Sequence, residues 1–204
     1  MRAYLASLSD YNADHLLGVW IDLEGKDETE IQDEINALLR TSRYPNVTYT
    51  CAECNGRASY LVASCVSDER ATCPHCDGKG EYASAEEWAI HDYDDFPDMG
   101  ENPSLGEVVE MAERISDHGE AWLAYVEHVG SHYATEDDFN DKQAGEADTE
   151  LEWVENYVEE TGLLSAMPAN LRNYFDHEAY LRDMKCGGEI GFVCYEGTVY
   201  AFWA

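Results

Sequence analysis

Residues 86–94 read Glu86-Glu87-Trp88-Ala89-Ile90-His91-Asp92-Tyr93-Asp94, a bulky run between acids. The stretch Trp88 to Tyr93 predicts a short strand. Toward the N-terminus, Arg2 to Leu8 places Tyr4, Ala6 and Leu8 on one face and Ala3, Leu5 and Ser7 on the other. That alternation predicts a strand ending at Asp10-Tyr11-Asn12. Gly18 to Leu23, with Val19, Trp20 and Ile21, predicts a second strand, antiparallel to the first. The spacing then becomes helical from Glu28: Ile31, Ile35, Leu38 and Leu39 share a stripe, while Glu28, Glu30, Asp33 and Glu34 occupy other faces or the electropositive first turns. The helix is expected to end near Arg40 to Tyr44, before Pro45. The stretch at 86–94 therefore reads as the closing strand of a ββα unit, with an insert between helix and strand.

The insert, about residues 49–82, holds five of the seven cysteines, and the chain opens with no recognisable secretory signal. Cys51-Ala52-Glu53-Cys54 is followed, after 18 intervening residues, by Cys73-Pro74-His75-Cys76. In a reducing cytoplasm two C-x-x-C turns at this separation point to a tetrahedral metal site, because each turn supplies two thiolates and a hairpin brings the turns together. Two disulfides or an empty site are the alternatives. The expected occupant is one structural zinc ion per chain, held by Cys51, Cys54, Cys73 and Cys76. Four thiolates leave no open position for a reacting water. Cys65 is expected to be a fifth thiol outside the ligand set, and Cys186 and Cys194 to be reduced. Both pairs run into turn glycines, at Asn55-Gly56 and Asp77-Gly78-Lys79-Gly80. In these ligand turns alone the insert resembles half of the zinc-binding region of the DnaJ chaperones.

Beyond Phe96-Pro97 the pattern is mainly helical. Leu105, Val108, Val109, Ala112 and Ile115 follow the N-cap candidate Ser104, and Trp122 to Val129 predicts a second helix. Thr135 to Glu150 is polar enough to be expected as a linker or exposed segment. Leu151, Val154, Tyr157 and Val158 predict a helix stopped at Gly162, and short helical segments follow Pro168. Ile190 to Tyr195, the turn Glu196-Gly197 and Thr198 to Trp203 predict a terminal hairpin whose last strand needs cover.

Charge sets the class of partner. The chain carries 43 Asp+Glu against 12 Lys+Arg, a formal net of −31 over 204 residues. Between Glu81 and Glu160 there are 25 acids against Arg114 and Lys142 alone. The total equals the charge on about 16 base pairs of duplex. Such a surface repels nucleic acid and anionic membranes and attracts basic proteins. With 45% hydrophobic and 12% aromatic residues the chain is too apolar for acidic disorder, although a salt-adapted surface would share its composition. No apolar run approaches a membrane span.

No enzyme is specified. Glu86-Glu87, Asp94-Asp95, Asp137-Asp138 and Glu159-Glu160 are pairs that this composition gives by chance, and the histidines show no H-E-x-x-H spacing. No Walker loop or G-x-G-x-x-G occurs.

The stretch at 86–94 also resembles the ArdA antirestriction proteins. The likeness extends to Arg2-Ala3-Tyr4-Leu5-Ala6-Ser7-Leu8-Ser9-Asp10-Tyr11-Asn12 and Leu17-Gly18-Val19-Trp20, then to Tyr157-Val158-Glu159-Glu160-Thr161-Gly162, Pro168 to Asp176 and Ala179 to Asp183. The resemblance implies an α+β fold, an elongated protomer of small α/β and helical domains with antiparallel sheets. The expected domains are 1–102, containing the zinc insert, a central helical domain at 103–137, and a C-terminal α+β domain at 138–204 with the hairpin. It further implies a homodimer in the cytoplasm of a bacterial host, encoded by a mobile element or phage. Such a protein imitates B-form DNA, occupies the DNA groove of type I restriction–modification enzymes through their methyltransferase core, and itself binds no nucleic acid. The expected phosphate-like contacts are Glu86, Glu87, Asp92, Asp94, Asp95, Asp98, Glu101, Glu107, Glu110, Glu113, Asp117 and Glu120. The insert is a departure from the family's smaller members. Rival readings are a zinc-braced acidic adaptor for another basic DNA-processing protein and a carboxylate–metal hydrolase.

Overall fold

The computed structural model describes residues 1–61 and 70–204, so Cys65 lies outside the described residues. In chain order the elements are β1 (Arg2–Ser7), α1 (Leu8–Tyr11), β2 (Gly18–Asp22), α2 (Glu28–Arg40), β3 (Val47–Thr50), β4 (Ser59–Leu61), β5 (Arg70–Thr72), β6 (Glu81–Ser84) and β7 (Trp88–Asp94). They are followed by α3 (Leu105–His118), α4 (Glu120–Val129), α5 (Glu136–Lys142), β8 (Gln143–Ala147), α6 (Glu150–Glu160), α7 (Ala169–Arg172), α8 (His177–Gly187), β9 (Ile190–Tyr195) and β10 (Thr198–Trp203). The class is α+β with antiparallel sheets. The chain forms two compact units, Met1–Ala112 and Glu113–Ala204.

In the first unit β1 is the central strand of the sheet β2-β1-β7, antiparallel to both neighbours. Leu5 lies opposite Val19 on one side and Ile90 on the other. Ile31, Ile35 and Leu39 of α2 are buried with Leu5, Ile21, Leu23 and Ile90, and Val108 and Ala112 of α3 complete this core. Asp27 and Glu30 start α2 with a reciprocal capping box, fixing the helix where its apolar stripe begins. The expected ββα unit and closing strand are present, and β3 to β6 lie between α2 and β7 as two separate two-stranded ladders, β3-β6 and β4-β5.

In the second unit β10 is central in the sheet β8-β10-β9. Both faces of β10 are covered: Phe202 lies 5.2 Å from Tyr125 and 5.6 Å from His128, while Ala201 joins Trp153, Val154, Met184 and Ile190 in a second core. A strand covered on both faces is apolar along its whole length, which explains Val199-Tyr200-Ala201-Phe202-Trp203. Gly191 on β9 has a packing reason, since a Cβ there would fall 2.6 Å from the His128 ring.

Thr135 to Glu150 is largely exposed, as one of its two expected readings has it, but it is not a linker. It contains α5 and β8; Phe139 is buried against Trp122 and Tyr125, and β8 pairs with β10. One large apolar side chain anchors the helix, and the strand is held through its backbone, so hydrophobic periodicity is too sparse to reveal either.

Candidate metal centre and acidic surface

The β3-β6 and β4-β5 ladders aim the two cysteine turns at each other. Cys51 follows β3 and Cys73 follows β5, and their Sγ atoms lie 3.9 Å apart; those of Cys54 and Cys76 lie 3.7 Å apart. All four sulfurs are buried and lie within 4.8 Å of one another. Sulfurs bound tetrahedrally at 2.3 Å from an ion stand about 3.8 Å apart, so the cluster has the size to hold a metal ion. Burial pushes the Cys51 thiol up to about 11. Burial acts the same way on Cys76, but the Gly80 N–H, 3.2 Å from its sulfur, and hydrogen bonds from the other three thiols bring it down to about 7.

The two turns are copies of one design at an offset of 22 residues. Thr50-Cys51-Ala52-Glu53-Cys54-Asn55-Gly56-Arg57-Ala58-Ser59-Tyr60 aligns with Thr72-Cys73-Pro74-His75-Cys76-Asp77-Gly78-Lys79-Gly80-Glu81-Tyr82. Gly56 N donates to Cys51 O and Gly78 N to Cys73 O, both at 3.1 Å; Arg57 N donates to Cys54 O and Lys79 N to Cys76 O, both at 2.9 Å. Cys51 N donates to Gly80 O and Cys73 N to Ala58 O, so each half closes on the other. Asn55 and Asp77 take φ of 48° and 50°, and both following glycines take 72°. Asn, Asp and Gly are the residue types that enter this region most readily.

The two halves differ in what meets them. Tyr82 is covered by Arg40 at the end of α2: the guanidinium lies 4.3 Å over the ring and donates to Tyr82 Oη at 3.0 Å and to His75 Nε2. This contact ties the knuckle to the first core. The counterpart Tyr60 is 45% exposed.

Of the twelve acids singled out from the sequence, eleven are exposed and Asp94 is half-buried, paired with Arg2. Several serve the fold. Glu107 closes a capping box with Ser104 at the start of α3, Asp98 accepts from Gly100 N at 2.8 Å, Asp92 from Tyr93 N at 2.9 Å, and Glu120 from Tyr200 Oη at 3.3 Å. Glu110 also has a partner. Glu86, Glu87, Asp95, Glu101, Glu113 and Asp117 make no side-chain hydrogen bond or ion pair among the described residues. The frame thus carries a set of carboxylates that no hydrogen bond or ion pair holds, of which Asp95 also lies in the field of Arg2.

The ArdA antirestriction family model matches residues 3–199. The chain belongs to the ArdA family. The match runs from the first strand of the N-terminal sheet to the last strand of the C-terminal sheet and passes over the cysteine insert. The activity attached to the family is antirestriction, directed at restriction–modification enzymes. Comparison with the curated proteins finds no match.

Histidines fall to structural tasks: His75 contacts Arg40 and Tyr82, His118 packs on Phe139 at 4.8 Å, and His128 stacks on Phe202. Among the described residues the four cysteines are the cluster able to hold a metal ion, and no helix is long and apolar enough to cross a membrane. Cys186 and Cys194 are exposed free thiols. Sequence reasoning missed the role of Arg40 and the 22-residue repeat of the turns. The second could have been found by aligning the chain with itself.

Proposed function

We propose that this chain inhibits type I restriction–modification enzymes by occupying the groove in which their methyltransferase core holds DNA. Surface carboxylates stand in for phosphates. The observation that carries this reading is the set of exposed acids whose side chains make no hydrogen bond or ion pair among the described residues, Glu86, Glu87, Asp95, Glu101, Glu113 and Asp117, on a frame that belongs to the ArdA family. Acids engaged in caps and ion pairs, such as Glu107 and Asp94, add to the potential while keeping their places. Charge complementarity speeds encounter, and shape and non-phosphate contacts supply specificity. The protein acts as a homodimer in the cytoplasm of a bacterial host, on behalf of a mobile element, and catalyses nothing.

The knuckle holds one structural zinc ion. Cys51, Cys54, Cys73 and Cys76 fit it in number, burial and spacing, and zinc supplies there the cross-link that joins the two copied turns.

Binding of the purified chain to a type I methyltransferase core, over a salt series and with duplex DNA as competitor, tests the mimic. Affinity should fall steeply with salt and DNA should displace the chain. Binding that is indifferent to both sinks the proposal.

A further inference from the structure

The duplicated knuckle contains one filled aromatic site and one open one. At the filled site Tyr82, with His75 edge-on at 5.7 Å, receives the guanidinium of Arg40. The 22-residue relation carries Tyr82 onto Tyr60 and His75 onto Glu53. Glu53 and Tyr60 line a cleft of about 550 Å³ with Cys73, Pro74 and His75. Among the described residues neither Glu53 nor Tyr60 has a side-chain hydrogen-bond, ion-pair or ring partner. The open site carries the Glu53 carboxylate at the position that His75 takes in its twin, and His75 itself lines the wall of the cleft.

We infer that Tyr60 and Glu53 form a docking site for an arginine side chain of a basic partner protein, repeating on the outer half of the knuckle what Arg40 does on the inner half. Three points select this occupant. Arg40 shows which group the design accepts. Glu53 adds a negative charge, favouring a cation more than the filled site does. A guanidinium can lie on the tyrosine ring and offer parallel N–H donors to the carboxylate, whereas an ammonium offers a point charge without the matching plane. The insert thereby adds a contact unlike the phosphate-like acids: one shaped pocket for one side chain, able to discriminate among basic partners. The inference rests on the metal-filled knuckle proposed above, and its partner class on the antirestriction reading.

The test has two arms. In the first, the zinc-loaded full chain labelled with ¹⁵N is titrated with N-acetyl-arginine amide and, separately, with the neutral N-acetyl-citrulline amide. Saturable shifts are expected at the amides of Glu53, Tyr60, Cys73 and His75 with arginine but not with citrulline. Glu53→Gln and Tyr60→Leu should each weaken them about three- to tenfold while zinc content stays at one per chain. Shifts spread over the acidic surface with the knuckle unmoved, or equal responses to both probes, overturn the site. In the second arm, wild type and the Glu53→Gln/Tyr60→Leu double variant are bound to the methyltransferase core. Weaker binding of the double variant supports docking. Equal binding refutes docking by this partner and leaves the mimic intact. If wild type does not bind, mimicry of that enzyme is what fails, and the arginine titration still decides the pocket.

Discussion

Asp10 is completely buried, yet it holds two segments far apart in sequence. Ser7 Oγ donates to it at 2.7 Å, Ser42 Oγ at 2.5 Å and Arg43 N at 3.1 Å. The carboxylate thus joins the end of β1 to the chain leaving α2. Burial by itself raises its pKa, but the Ser42 and Ser7 hydroxyls and the Arg43 N–H outweigh burial and hold it below the ordinary value. Asp10→Asn keeps the shape but replaces one charged acceptor oxygen by an NH₂ facing existing donors. It should cost about 1–3 kcal/mol at neutral pH in urea unfolding. Because the folded pKa lies below the unfolded one, the ionised group stabilises the fold above about pH 4. That contribution is lost as pH falls through the folded value, so the gap between wild type and variant should narrow in acid. A gap independent of pH would assign the cost to packing instead. No periodicity in the sequence points to this role of Asp10, because two of its three partners lie 32 and 33 residues away and only Ser7 is local.

At the scale of elements, legibility followed the origin of the stabilisation. The strands β1 and β10 and the helix α2 bury most of their apolar residues, and alternation, a continuous apolar run or helical spacing reveals such patterns directly, whereas β2 buries only Ile21 and β9 only Ile190. The segment α5–β8 is held by Phe139 and by backbone pairing with β10, which leave little trace in side-chain pattern. The cysteine spacing pointed to the cluster, since two turns of two ligands make sense only together. The Arg40 clamp was hidden because a lone arginine at a helix end reads equally well as a favourable charge near the C-terminal dipole. Among the described residues Tyr82, partly buried, is the large side chain packed on the four cysteines, so the ladders are expected to depend on the proposed ion. Zinc binding to such sites supplies on the order of 10 kcal/mol. Removing zinc with a chelator, or substituting Cys51→Ser, should therefore abolish amide protection in β3 and β6 while β1 and β7 keep theirs. Hydrogen exchange reads both sheets in one experiment; unchanged protection in β3 and β6 without zinc would show that the ladders stand without the ion. Gly80 offers a second probe, because a Cβ there falls 2.5 Å from Gly56 O and φ is +82°. Gly80→Ala should lower zinc affinity without replacing a ligand, by shifting the N–H that Gly80 gives to the Cys76 sulfur, as measured by competition with a chromophoric chelator.

For the whole molecule, net charge gave the class of partner but not the way the charge is carried. The twelve central acids divide into those holding caps, turns or ion pairs and six that hold nothing among the described residues. This division separates electrostatics from folding. Changing Glu86, Glu87, Asp95, Glu101, Glu113 and Asp117 to their amides removes six charges at exposed positions, where substitutions usually alter stability within about 0.5 kcal/mol. A mimic bound through ionic contacts should lose affinity for the methyltransferase core and show a shallower dependence on salt. Changing Asp92, Asp94, Asp98, Glu107, Glu110 and Glu120 instead removes the same number of charges but also disturbs caps and pairs, so urea unfolding should register a loss of stability as well. If binding follows net charge alone, the two variants will lose affinity equally wherever both are folded. If the position of each carboxylate matters, they will differ at equal charge and equal salt. That second outcome is expected of a surface imitating a particular polyanion, because a basic groove distinguishes where charges sit only when the frame holds them there.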